Sequence, residues 1–189
     1  MTDTTRIRPL STADSVQQLT ALLHTAYATL AAQGWNFTAA TQSEQTTRER
    51  IAHGQCFVAE LLQAQGGLPA GALVGSVCIS PPKPVGTHYV QRQDSAPALY
   101  TRADTAILAQ LAVHPALRGQ GLAERLCDMA EDWARQRGFA QVALDTAEPA
   151  TALRARYQRR GYRDAGCVQW SGKTYASVLM CKALHAPAA

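Results

Sequence analysis

Residues 105–113, TAILAQLAV, form a nearly unbroken apolar run that gives way at Pro115. A run of this kind suits a strand covered on both faces, and proline cannot extend its hydrogen-bond ladder. A turn with Gly119 and Gly121 follows. Beyond it, Leu122, Leu126, Met129 and Trp133 fall on one helical side, while Glu124, Arg125, Asp128, Glu131, Asp132 and Arg135 fall elsewhere. Gly138 ends that helix, and residues 139–146 read as a second strand. A strand, a turn, a helix of about four turns and a strand make a βαβ unit, whose strands run parallel and whose crossover is right-handed. The unit demands a sheet and sets a helix N-terminus beside the end of a strand.

The remaining elements arrange themselves around it. Residues 5–8 read as a short strand, with Ser11 as the cap of a helix in which Val16, Leu19, Leu22, Leu23, Ala26, Tyr27 and Leu30 recur at helical spacing, closed by Gly34. Thr41 with Glu44 has the form of a capping box, predicting a second helix to His53 that stops at Gly54. Residues 56–62 and 72–80 are β-forming runs separated by QGGLPAG, a hairpin. Pro149 suits the first turn of another helix, with Ala150, Leu153 and Tyr157 inward and Gly161 as its stop. Residues 162–170 and 175–182, split by SGK, read as a closing hairpin. Residues 81–103 are proline-rich and polar; a loop of that length is either a working element, such as a substrate lid, or a mobile excursion.

A chain of 189 residues that is 47% apolar buries one sizeable core, and residues 1–189 read as one domain. The net charge of +4 suits an anionic ligand but falls short of a dedicated nucleic-acid binder. The first residues hold no apolar segment of the secretory kind, and no stretch approaches the roughly 18 apolar residues of a membrane span. The expectation is a soluble, cytoplasmic protein, a monomer or homodimer without nucleic-acid or membrane partners. Cys56, Cys78, Cys127, Cys167 and Cys181 show neither CxxC nor metal-ligand spacing and read as buried, reduced thiols.

The turn after the apolar run carries the chemistry. N–H groups at a helix start lack intrahelical partners and carry the positive end of the dipole, and glycines let a ligand come close to the chain. Residues Arg118, Gly119, Gln120, Gly121, Leu122 and Ala123 thus form a nest for an anion, most naturally a pyrophosphate. Glycine also serves in many such turns simply to bend the chain. The phosphate loop of NTPases, GxxxxGK followed by Ser or Thr, is missing. The dinucleotide pattern GxGxxG starts at Gly119 and Gly121, but Glu124 stands where its third glycine belongs, with Asp145 near the spacing of a ribose-binding acid.

Val113-His114-Pro115 followed by Arg118-x-x-Gly121-x-Ala123, with Tyr157-x-x-x-Gly161-Tyr162 downstream, resembles the Gcn5-related N-acetyltransferase superfamily. The order of elements resembles that fold along nearly the whole chain. The resemblance implies an α/β (α+β) fold: a mixed, mostly antiparallel sheet of about seven strands, about four flanking helices, and a splayed parallel pair at a cofactor notch. It implies acetyl-coenzyme A as the cofactor, with its pyrophosphate on the N–H groups of Gly119–Ala123. The pantetheine arm would lie along Leu111, Ala112 and Val113, with the Val113 N–H aimed at the thioester carbonyl. Tyr157 matches the residue that protonates the leaving thiolate in relatives.

Two positions depart from the family pattern. Ile107 stands where many relatives carry a glutamate base, and Ala150 where many carry an asparagine that contacts pantetheine. An alkylammonium must lose a proton before it can attack, at a cost of about 4–5 kcal/mol at neutral pH. Asp104, Glu44, His88 and His114 are the candidate bases; His114 also suits a turn and Glu44 a helix cap. Tyr157 also suits core packing. The resemblance places Trp35, Phe37, Tyr89, Tyr100, Trp170 and Tyr175 where an amine acceptor, a small molecule or a peptide, would enter, and each equally suits packing. The expected activity is N-acetyl transfer by direct attack in a ternary complex. The alternatives are an acyl-coenzyme A binding module without turnover, favoured by Ile107, and an RNA-associated domain built on the arginines at 154, 156, 159, 160 and 163, which suit first a solvated helix face and second the coenzyme's phosphates.

Overall fold

The computed structural model describes residues 4–82 and 97–184. The elements are β1 (Thr5–Pro9), α1 (Val16–Ala31), α2 (Glu44–Ile51), β2 (Gln55–Leu61), β3 (Leu73–Ser80), α3 (Ala98–Thr101), β4 (Thr105–Val113), α4 (Leu122–Gln136), β5 (Gln141–Ala147), α5 (Thr151–Arg159), β6 (Arg163–Val168) and β7 (Ser177–Ala183), with 3₁₀ turns at Thr38–Ala40 and Pro115–Leu117. The strands form one mixed sheet in the order β1-β2-β3-β4-β5-β7-β6. β4 and β5 pair in parallel from Thr105↔Gln141 to Ile107↔Ala143, whereas β1 with β2, β5 with β7 and β6 with β7 are antiparallel. This is the fold class expected from the sequence, with five helices where about four were expected. The fifth, α3, is one turn within the long segment 81–103, most of which lies outside the described residues. Among the described residues, no helix is long and apolar enough to cross a membrane.

The described residues gather into two compact units. One holds the chain up to Gln33, Phe37–Cys78 and Gln110–Ala130; the other holds Gly34–Asn36, Ile79–Ala109 and the chain from Glu131 onward. In the first unit, α1 presents Leu19, Leu22, Leu23 and Ala26 to a core that includes Ala39, Cys56, Val58, Leu73, Cys78 and Ala112. Ser15, not Ser11, caps this helix by accepting a hydrogen bond from the Gln18 N–H at 3.2 Å, while Ser11 is tied to Asp14 in the preceding turn. Ser43, not Thr41, caps α2, accepting from the Thr46 N–H at 3.1 Å. Glu44 consequently lies in the first turn of α2 and pairs with Arg48 four residues on. The second turn of α4 packs closely on β3: a Cβ at Gly75 would lie 2.9 Å from Leu126 Cδ1, and 3.2 Å from Ala59 Cβ of β2.

In the second unit, Tyr100, Ile107, Ala143 and Leu179 form a buried cluster, with Leu99, Val168, Trp170 and Cys181 packed against it. β7 is buried along most of its length, whereas β6 is exposed at nearly every residue, as befits an edge strand. Glu131, expected off the apolar side of α4, is buried all the same. Its carboxylate accepts from Arg160 Nη2 at 3.0 Å, Lys182 Nζ at 2.6 Å and the Tyr162 hydroxyl at 3.2 Å. A charge can be buried there because cations and a hydroxyl converge on it. Ala150 stands at the N-cap of α5, so Pro149 precedes that helix rather than opening it. The thiols of Cys56, Cys78 and Cys127 are buried, but Cys167, on the edge strand, is exposed.

Candidate acyl-coenzyme A site

The glycine turn folds as its sequence dictates. Gly119 and Gly121 have φ of 77° and 76°, a backbone region that side chains with a Cβ rarely enter. A Cβ at either residue would meet nothing within 4 Å, so open space lies above both. α4 begins at Leu122, and the first of its backbone bonds runs from the Arg125 N–H to the Gly121 carbonyl at 3.1 Å. A helix start without side chains over it, facing open space, fits a diphosphate.

The side chains around the turn brace it. Arg118 Nη2 donates to the Ala26 carbonyl of α1 at 2.7 Å, and its Nε reaches the Val113 carbonyl at 3.4 Å. The guanidinium therefore ties the turn to α1 and to the end of β4. Gln120 Oε1 accepts from Gln65 Nε2 at 3.4 Å, and Leu122 and Ala123 are buried in the helix–sheet contact. The Tyr27 hydroxyl donates to the Leu111 carbonyl at 3.2 Å.

Upstream of Leu111, β4 carries an irregularity that the sequence reading does not single out. Gln110 has φ of 54°, the left-handed region for a residue other than glycine, and it is buried. Ser76 Oγ donates to its carbonyl at 3.3 Å, Cys78 Sγ points at its Oε1 at 3.5 Å, and its Nε2 donates to Gln42 Oε1 at 2.9 Å. Gln42 Nε2 in turn donates to Thr47 Oγ1 at 2.8 Å, beside the Thr20 hydroxyl. This buried chain of polar groups holds the bend after which Leu111, Ala112 and Val113 run. The one signal in the sequence is a glutamine inside an otherwise apolar strand.

Tyr157 and Asp104 belong to the second unit. Tyr157 is buried near the end of α5 and meets the Tyr162 ring edge-on at 5.7 Å. Asp104 is held by two hydrogen bonds from Arg102, at 3.0 and 2.7 Å, and one from the Thr105 hydroxyl. The Arg102 bonds lower its carboxyl to about 2, which makes it a weak proton acceptor at neutral pH. His114 Nδ1 accepts from the Ala116 N–H at 3.3 Å and caps the turn after β4. His88 and Tyr89 lie outside the described residues. In the arginine-rich stretch, Arg154 pairs with Asp164 and Arg160 with Glu131, so part of that charge is spent inside the fold.

A further constellation in the second unit joins residues far apart in sequence. Asp145 on β5 accepts from the Tyr100 hydroxyl at 2.7 Å and from Trp170 Nε1 at 3.0 Å. Burial, and then the nearby Asp145 charge, push the Tyr100 phenol well above its ordinary range, so it remains a donor; Tyr157 acts on it in the same direction.

The sequence profile of the Acetyltransferase (GNAT) family matches residues 18–162. Among curated protein sequences, none matches. Among solved structures, the ribosomal-protein-S18-alanine N-acetyltransferase from Escherichia coli is similar at 18% identity and a TM-score of 0.65, over 95% of this chain and 93% of that one. A GNAT family acetyltransferase from Elizabethkingia anophelis with acetyl-CoA bound is similar at 14% identity and a TM-score of 0.61, over 96% and 99%. Ard1 from Thermoplasma volcanium is similar at 14% identity and a TM-score of 0.67, over 97% and 99%. At these identities the structures speak for the fold alone. The profile spans most of the chain, its motifs fall on the strand, turn and helix just described, and the chain therefore belongs to the GNAT acetyltransferase family.

Proposed function

We propose that this protein is an acetyl-coenzyme A-dependent N-acetyltransferase acting on a primary amine of a small molecule or peptide, by direct attack in a ternary complex. The observation that carries the reading is the glycine-lined start of α4, open above Gly119 and Gly121, in a chain of this family. When bound, acetyl-coenzyme A supplies an activated acetyl group as a thioester. The backbone N–H groups of Gly119–Ala123 hold its pyrophosphate, and Arg118 keeps their turn fixed against α1. The Leu111–Val113 backbone aligns the pantetheine arm, and the Val113 N–H polarises the acyl carbonyl, where charge develops during attack. Tyr157, carried on the family motif, would give its hydroxyl proton to the sulfur as the C–S bond breaks, while solvent takes the proton of the attacking amine and restores the hydroxyl. Support for the coenzyme comes from membership of the family, and a protein of the same fold, the acetyltransferase from Elizabethkingia anophelis, has acetyl-CoA bound.

One observation favours a second reading, an acyl-coenzyme A binding module without turnover. Ile107, at the position of the usual glutamate, is buried in an apolar cluster and cannot take a proton. Thiol release from acetyl-coenzyme A across a panel of primary amines separates the two. Turnover with any amine supports the transferase. Calorimetric binding of the coenzyme without thiol release supports the module, and absence of binding overturns both.

A further inference from the structure

Residues Tyr100, Asp145 and Trp170 form a group that the reading above does not use. Asp145 is half-buried, and each of its carboxylate oxygens accepts one hydrogen bond: Oδ1 from the Tyr100 hydroxyl at 2.7 Å and Oδ2 from the Trp170 indole at 3.0 Å. Both donors are neutral, and a carboxylate offers about four acceptor positions. Among the described residues, no cation pairs with it. By contrast, Glu131 in the same unit collects Arg160, Lys182 and Arg135. A half-buried carboxylate with neutral donors only is free to accept a cationic one.

The surroundings narrow the ligand. The Tyr100 and Trp170 rings lie 6.0 Å apart at 34°, and both pack in the apolar cluster of Ile107, Ala143 and Leu179. The carboxylate meets the donor edges of both rings, so an ammonium is attracted by its charge, and the aliphatic and aromatic neighbours suit an alkyl stem. Ala143 and Asp145 are two residues apart on β5 and so share a face of the sheet, and the parallel pairing with β4 ends at Ile107↔Ala143, short of Asp145. We infer that Asp145, set between Tyr100 and Trp170, is the binding subsite for a primary alkylammonium, the acceptor in its charged form. This rests on the proposed acetyl transfer only for the word acceptor; the subsite itself is a claim about binding.

The Trp170 indole N–H is bonded to the very oxygen at issue, so its NMR cross-peak, identified with Trp170→Phe, reports on the subsite directly. The full chain is titrated with n-butylammonium and with neutral n-butanol, with and without acetyl-coenzyme A. The expected result is a saturable shift with butylammonium that is at least about tenfold tighter than any response to butanol, and its loss in Asp145→Asn. Asp145→Glu, which keeps the charge, should retain part of it. Equal response to the two probes, or an unchanged response in Asp145→Asn, overturns the subsite. If Asp145→Asn fails to fold, the comparison of charged and neutral probes on the unaltered protein decides alone. Thiol release with amines but no selective indole shift would sink the subsite and leave the transferase standing; a selective shift without thiol release would do the reverse.

Discussion

Gln110 occupies a backbone conformation that strains residues other than glycine, and it does so inside the sheet. Three partners hold it: Ser76 on its carbonyl, Cys78 on its amide oxygen and Gln42 on its amide nitrogen. Truncation to alanine would keep the strain, remove two of these contacts and leave the buried Gln42 amide short of a partner. Gln110→Ala should therefore lose about 2–3 kcal/mol in denaturant melts. Gly121 differs in kind, because nothing crowds it and only its φ of 76° excludes other residues. Gly121→Ala should cost about 1–2 kcal/mol in the same assay and weaken acetyl-coenzyme A measurably by calorimetry.

Asp14 supplies a pH-dependent term. It pairs with Arg8 at 2.7 Å, and the hydrogen bonds from Arg8 hold its carboxyl well below the usual carboxylate range. A depressed folded value means that the stabilisation is complete above the unfolded value of about 3.9 and fades as pH falls toward the folded one. The stability advantage of the native chain over Asp14→Asn should therefore be constant from neutral pH down to about 4 and shrink in more acid solution, as followed by urea melts at each pH.

At the scale of elements, β3 and α4 meet where Gly75 leaves no room for a side chain: its neighbours are a leucine methyl, an alanine methyl and the Ala112 carbonyl. Gly75→Val forces the helix away from the sheet and should cost about 1–3 kcal/mol in thermal or urea melts. The elements themselves were legible where periodicity is strong. α1 and α4 show an apolar stripe, and Gly34 and Gly138, with φ of 85° and 78°, close them as expected. Caps were less legible, because Ser11, Ser15, Thr41 and Ser43 are chemically alike. What selects Ser15 and Ser43 is reach to an N–H three residues on, and that depends on how the chain enters the helix.

At the scale of the whole molecule, Glu131 joins parts of the chain that share no local pattern: Arg160 after α5, Lys182 on β7 and Tyr162 before β6. Glu131→Gln leaves half-buried cations without their buried counter-ion. The loss should be about 3 kcal/mol, since those cations keep some contact with water, and a lower Tm with unchanged coenzyme affinity would check it. Periodicity could place Glu131 only off the apolar side of α4, because all its partners but Arg135 lie 29 to 51 residues away. The same reason separates the legible from the illegible in the site. The glycine turn is contiguous and readable residue by residue. Tyr100, Asp145 and Trp170 are 45 and 25 residues apart, and only the strand order β5-β7-β6 and the turn of α3 assemble them.

The pairing of β4 with β5 stops at Ile107↔Ala143, although β5 runs on to Ala147. Beyond that point, amides of β5 directed away from β7 have no ladder partner in this register. Deuterium should therefore enter alternate amides of residues 144–147 sooner than those of residues 141–143. The sheet would label from its middle, where an ordinary sheet labels from its rims.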